Sequence, residues 1–74
     1  MGPIKRSVLI AGHATSISLE TVFWDALREA AASEGLPLNA LVAQIDAARL
    51  DVGGDAPNLA SAIRVWLFER ELAR

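Results

Sequence analysis

The sequence predicts a mainly helical fold that opens with a short β ribbon or hairpin and adds a third helix at its end. Three observations carry this reading. The apolar pattern alternates as far as Leu19 and turns helical from Val22. Two further helical stripes follow, one after Pro37 and one after Asn58. The chain is apolar at 53% of its 74 residues and has no cysteine.

That last observation bears on assembly. A chain of this size buries only about 60% of the surface it exposes when unfolded. No disulfide can staple it and no thiolate can hold zinc. The surplus of apolar residues therefore predicts a partner chain that covers part of them. The whole chain, 1–74, reads as one domain.

The first strand is expected at about 4–10, Ile4-Lys5-Arg6-Ser7-Val8-Leu9-Ile10, where β-branched residues are frequent. Ala11-Gly12-His13-Ala14 breaks it, as a four-residue link containing a glycine. The second strand is expected at about 14–19. The two form either a hairpin, the preferred reading, or one strand bent at Gly12. If the first strand pairs with another chain instead, the sheet is wholly intermolecular.

The first helix is expected at about 20–33. Val22, Phe23, Ala26, Leu27 and Ala30 make its apolar face. Glu20 suits the positive end of the helix dipole, and Gly35 suits a left-handed stop. Asp25 and Arg28 are spaced to pair on the solvent side. The second helix, about 38–49, follows Pro37 and presents Leu38, Leu41, Val42 and Ile45, with Ala48 and Leu50 extending the face. Asp51-Val52-Gly53-Gly54-Asp55-Ala56-Pro57 reads as an acidic loop. Asn58 should cap a third helix at about 58–72, with Leu59, Ala62, Ile63, Trp66 and Leu67 as its stripe. Val65-Trp66-Leu67-Phe68 is apolar around much of the circumference, as on a helix covered from more than one side.

Catalytic chemistry finds little support. His13 is the one histidine, with no nucleophile or metal ligand beside it. Gly53-Gly54 lacks the lysine of a phosphate loop. The expectation is no enzyme, no metal and no cofactor. No apolar run approaches the ~20 residues of a membrane span, and the start lacks a signal-peptide pattern, so a cytoplasmic protein is expected. The formal charge of −2 gives no overall pull toward nucleic acid. Asp46 and Arg64 lie at the edges of two helix faces, where they either pair and fix register or face solvent.

The polar face of the second strand is the most suggestive feature. Ala14, Ser16 and Ser18 point away from Ile17 and Leu19. Their small side chains suit either the DNA major groove, which admits a two-stranded ribbon, or a protein surface laid over them.

Lys5-Arg6-Ser7, Gly12-His13, Thr15-Ser16, Leu19-Glu20, Phe23-Trp24, Leu41, Ile45-Asp46 and the run from Asn58-Leu59 to Arg64-Val65 carry a family resemblance. The chain resembles the ribbon-helix-helix proteins, the class of the Arc and MetJ repressors. More narrowly it resembles a subgroup of short bacterial ribbon-helix-helix domain proteins. The resemblance implies an intertwined homodimer in which strands from two chains pair and the helices interlock behind them. Ile17, Leu19, Phe23, Leu41, Ile45 and Trp66 would form the shared core. It also implies double-stranded DNA as partner and transcription regulation as role. Ala14, Ser16 and Ser18 would face the groove, and Asn39, at the start of the second helix, would help hold the backbone.

The chain departs from the family pattern where alanine and serine stand for the usual long polar side chains. Pro37 replaces a common serine or threonine cap. The nearest basic residues, Lys5 and Arg6, belong to an added N-terminal segment and would supply phosphate attraction. The rival reading is a protein-interaction module that keeps the dimer fold without binding DNA, working through the 51–55 loop or exposed parts of 65–68.

Overall fold

A two-residue turn sets the geometry of the N-terminal half. In the computed structural model, which describes residues 2–51 and 58–74, strand β1 (Ile4–Ile10) pairs antiparallel with strand β2 (His13–Leu19). The register runs from Ile10 opposite His13 to Ile4 opposite Leu19. The link is Ala11-Gly12 alone, shorter than the four residues expected, and His13 already belongs to β2. Both link residues have positive φ, 49° at Ala11 and 84° at Gly12. Two such residues in succession match the turn whose twist fits a hairpin. The hairpin is therefore made within one chain.

Three helices follow: α1 (Thr21–Glu34), α2 (Leu38–Asp51) and α3 (Leu59–Leu72). Glu20 is the N-cap of α1 rather than its first helical residue. Gly35 stops α1 at φ 70°. The Leu36 N–H reaches the Ala31 carbonyl at 2.9 Å and the Gly35 N–H the Ala32 carbonyl at 3.1 Å. Those two bonds satisfy carbonyls that the helix end would leave open. The Pro37 carbonyl accepts from Leu41 at the start of α2. Asn58 caps α3 with its side chain, accepting from the Ser61 N–H at 2.8 Å.

The ribbon lies on the helices, β1 against α2 and β2 against α3. Val8, Ile10, Ile17 and Leu19 point down from it. They meet Trp24, Leu27, Ala30 and Ala31 of α1, Leu41, Val42 and Ile45 of α2, and Ile63 and Leu67 of α3. Among the dimer-core candidates, Ile17, Leu19, Leu41 and Ile45 are thus already buried by their own chain. Phe23 and Trp66 are half-buried at its rim.

The face of α1 differs from the sequence expectation. Val22 is 69% exposed, while Trp24 is only 1% exposed. The indole is drawn inward because its Nε1–H donates to the Ile4 carbonyl at 2.9 Å. A buried indole needs such a partner, and the ribbon supplies it. On α2 the buried face stops at Ile45, and Ala48 and Leu50 are exposed.

Asp46 and Arg64 do not pair. Asp46 accepts from Arg49 one turn on, at 2.6 Å. Arg64 reaches Glu20 instead, with Nη2 at 2.8 Å from Oε1. The Asp25–Arg28 pair forms as its spacing predicts. The expected acidic loop lies, from residue 52 to 57, outside the described residues.

Candidate nucleic-acid interface

Alternation along the ribbon separates two faces. Val8 and Ile10 are buried, so Lys5, Ser7 and Leu9 point the other way on β1. Ile17 and Leu19 are buried, so Ala14, Ser16 and Ser18 do so on β2. The register then joins Lys5 with Ser18, Ser7 with Ser16 and Leu9 with Ala14 across the outer face. Three of the residues expected at DNA, Ala14, Ser16 and Ser18, therefore share one surface with Lys5. Ser7 and Leu9 complete it and were not singled out from sequence, because only the register brings them there.

Arg6 lies on the opposite face. Its guanidinium stands 5.7 Å from the centroid of the Trp24 ring. At that distance a cation is attracted to the ring face, so Arg6 covers the indole at the ribbon's margin. It is exposed all the same. Asn39 is exposed in the first turn of α2, on a separate element from the ribbon.

The distribution of charge is uneven. All nine acidic residues follow Leu19 in the chain, so the hairpin carries none. Every arginine after the hairpin is paired: Arg28 with Asp25, Arg49 with Asp46, Arg64 with Glu20, Arg70 with Glu34 and Arg74 with Glu71. Among the described residues Lys5 and Arg6 are the cations without an acidic partner. A chain of net charge −2 thus has a ribbon of positive sign. The overall charge conceals this.

Glu20 sits where ribbon, α1 and α3 meet. Its carboxyl is held below the ordinary glutamate value, first by its own backbone N–H and then by the Arg64 side chain. Arg64 also donates to the Ser18 carbonyl at 3.4 Å and stacks over Phe23 at 5.6 Å. One arginine of α3 thus fixes the foot of β2 to the start of α1.

A second surface lies between α1 and α3. A groove of 490 Å³ is lined by Val22, Phe23, Ala26 and Phe68, with Glu29 and Arg74 among its polar residues. Phe68 is 64% exposed. Among the described residues no three histidine, cysteine or acidic side chains gather as metal ligands. No helix of the described residues is long and apolar enough to cross a membrane.

Comparison with known proteins gives one family. The family model described as a ribbon-helix-helix domain matches residues 3–70. No curated protein and no solved structure matches the chain significantly.

Proposed function

The chain belongs to the ribbon-helix-helix family, and from this premise we propose that it is a dimeric DNA-binding regulator of transcription whose hairpin faces the duplex. The family is typically one of DNA-binding transcriptional regulators and is generally non-enzymatic. The observation that carries the reading is the ribbon's charge. Lys5 and Arg6 lack acidic partners, and no acid lies on the hairpin. Cations without acidic partners on one element are the electrostatic footprint of a phosphate-binding surface. Ala14, Ser16 and Ser18 lie on the outer face beside Lys5, and Asn39 would add a contact from α2.

Fluorescence titration of labelled duplex, at low and moderate salt, tests the proposal. Binding should weaken steeply as salt rises, because each phosphate contact releases counterions. Lys5→Ala should weaken it without disturbing the fold, since Lys5 is exposed. A protein with no duplex affinity at low salt would sink the reading.

The second reading, an interaction module without DNA binding, is favoured by one observation. The outer face of β2 carries alanine and serine, whose contacts are short and not base-selective. Under that reading, Lys5→Ala leaves the protein's cellular function intact.

A further inference from the structure

The groove between α1 and α3 has an apolar end and a charged end. Glu20 pairs with Arg64 and Glu34 with Arg70, so the two helices run in the same sense along it. On α1 the apolar lining from Val22 to Ala26 precedes Glu29. On α3 Phe68 precedes Arg70, Glu71 and Arg74. Both helices thus change character in the same direction. The volume of 490 Å³ is that of a small-ligand site, for which about 300–1,000 Å³ is usual.

Two charged groups of this lining lack hydrogen-bond partners. Arg28, Arg49, Arg64 and Arg74 each donate to a carboxylate. Arg70 makes no hydrogen bond among the described residues. Its Nε–H is buried without an acceptor, and a buried donor left open is costly. Its Nη2 stands 3.7 Å from the Glu34 carboxylate, beyond hydrogen-bond length. The Trp66 ring, 5.9 Å away, attracts the cation without supplying an acceptor of that kind. Glu29 is exposed and has no ion pair among the described residues.

The charges of the lining balance. Arg70 and Arg74 stand against Glu29 and Glu71, and Arg74 already holds Glu71 at 3.1 Å. That leaves one guanidinium in need of an acceptor and one carboxylate in need of a donor. A simple anion would satisfy Arg70 but be repelled by Glu29 and by Glu34. A ligand carrying both signs satisfies both groups.

We propose that this groove binds a free α-amino acid with a large apolar side chain, such as leucine or phenylalanine. Its carboxylate accepts from the guanidinium fork of Arg70, whose planar geometry it matches. Its ammonium donates to the Glu29 carboxylate. Its side chain lies on Val22, Phe23 and Phe68. Val22 and Phe68 are 69% and 64% exposed, and covering them removes apolar surface from water. Uptake there uses nothing from the outer face of the ribbon.

Amide NMR titration of the full chain with L-phenylalanine tests the site. Shifts should be confined to 22–33 of α1 and to 67–74. Hydrocinnamate lacks the amine and phenethylamine lacks the carboxylate. Each should bind about ten- to a hundredfold more weakly, the loss expected with a hydrogen bond to a charged group. Arg70→Gln should abolish the preference for phenylalanine over phenethylamine. Glu29→Gln should abolish the preference over hydrocinnamate, and each variant should keep the other preference. Glu29 is exposed, so its variant decides even where circular dichroism finds Arg70→Gln unfolded.

Equal affinity for the three compounds overturns the proposal, since apolar contact alone would account for it. Absence of shifts at about 10 mM phenylalanine or leucine, weaker than any specific site of this kind, overturns it too. So does a third result, in which Phe68→Asp splits an oligomer and the wild type takes up no amino acid. The groove is then an interface between copies. None of these readouts involves DNA, so a failure of duplex binding leaves them unaffected.

Discussion

Arg64 of α3 and Glu20 at the head of α1 form an ion pair of 2.8 Å across 44 residues of sequence. The same guanidinium reaches the Ser18 carbonyl and lies over Phe23. The helix added to the two-helix minimum is thereby tied to the junction that defines the fold.

The pair sets a pH dependence. The folded state lowers the Glu20 pKa, first through its own backbone N–H and then through Arg64, so it favours the charged carboxylate. Its contribution is fully present above the unfolded-state value and is lost as pH falls through the lower folded value. Both side chains are partly exposed, so solvent screening keeps the contribution modest. The gap between the thermal melts of wild type and Arg64→Ala should therefore narrow as the solution is acidified and widen again toward neutrality, with a remainder at acid pH from the Ser18 and Phe23 contacts. Parallel curves across that range would contradict the assignment.

Trp24 should be the most sensitive aromatic position. Trp24→Phe keeps the bulk but removes the donor to the Ile4 carbonyl and narrows the surface under Arg6. A cost of about 1–3 kcal/mol in urea unfolding is expected. Trp24→Ala should cost about 3–5 kcal/mol, as for other large core truncations.

Ala11 offers a stabilising change. Its φ of 49° lies in the left-handed region, which asparagine and glycine adopt more readily. Ala11→Asn should raise stability by about 0.5–1 kcal/mol in denaturant unfolding, since Asn-Gly is the preferred pair for this turn. A loss of stability would show that the side chain of Ala11 has a packing role.

Asn58 can be tested in the same way. Its side chain accepts from the Ser61 N–H, satisfying one of the donors left open at the start of α3. Asn58→Ala should cost about 1 kcal/mol. Asn58→Ser should recover most of it, and a melt that distinguishes the two reads the cap itself.

The sequence by itself determined the elements and their order, while the hairpin link, expected at four residues, is two. The change of period near Leu19, the glycine at 35, the proline at 37 and the asparagine at 58 act through local backbone preferences, which need no distant partner. For the same reason Ile17 and Leu19 were recognisable as core. The side of α1 that faces inward was not legible in this way. Val22 and Trp24 are both apolar, and only the Ile4 carbonyl, placed by the ribbon, makes the indole the buried one. The partners of Arg64 and Asp46 were hidden too, because a charge at the edge of a helix face can reach several elements. The surface proposed for DNA was visible in part. Ala14, Ser16 and Ser18 follow from alternation along one strand. Their alignment with Lys5, and the separation of Arg6 onto the Trp24 side, depend on the register fixed by the turn. Local sequence determined which segments are strand or helix, whereas the tertiary structure decided which faces meet, since that choice is made by hydrogen-bond partners far apart in the chain.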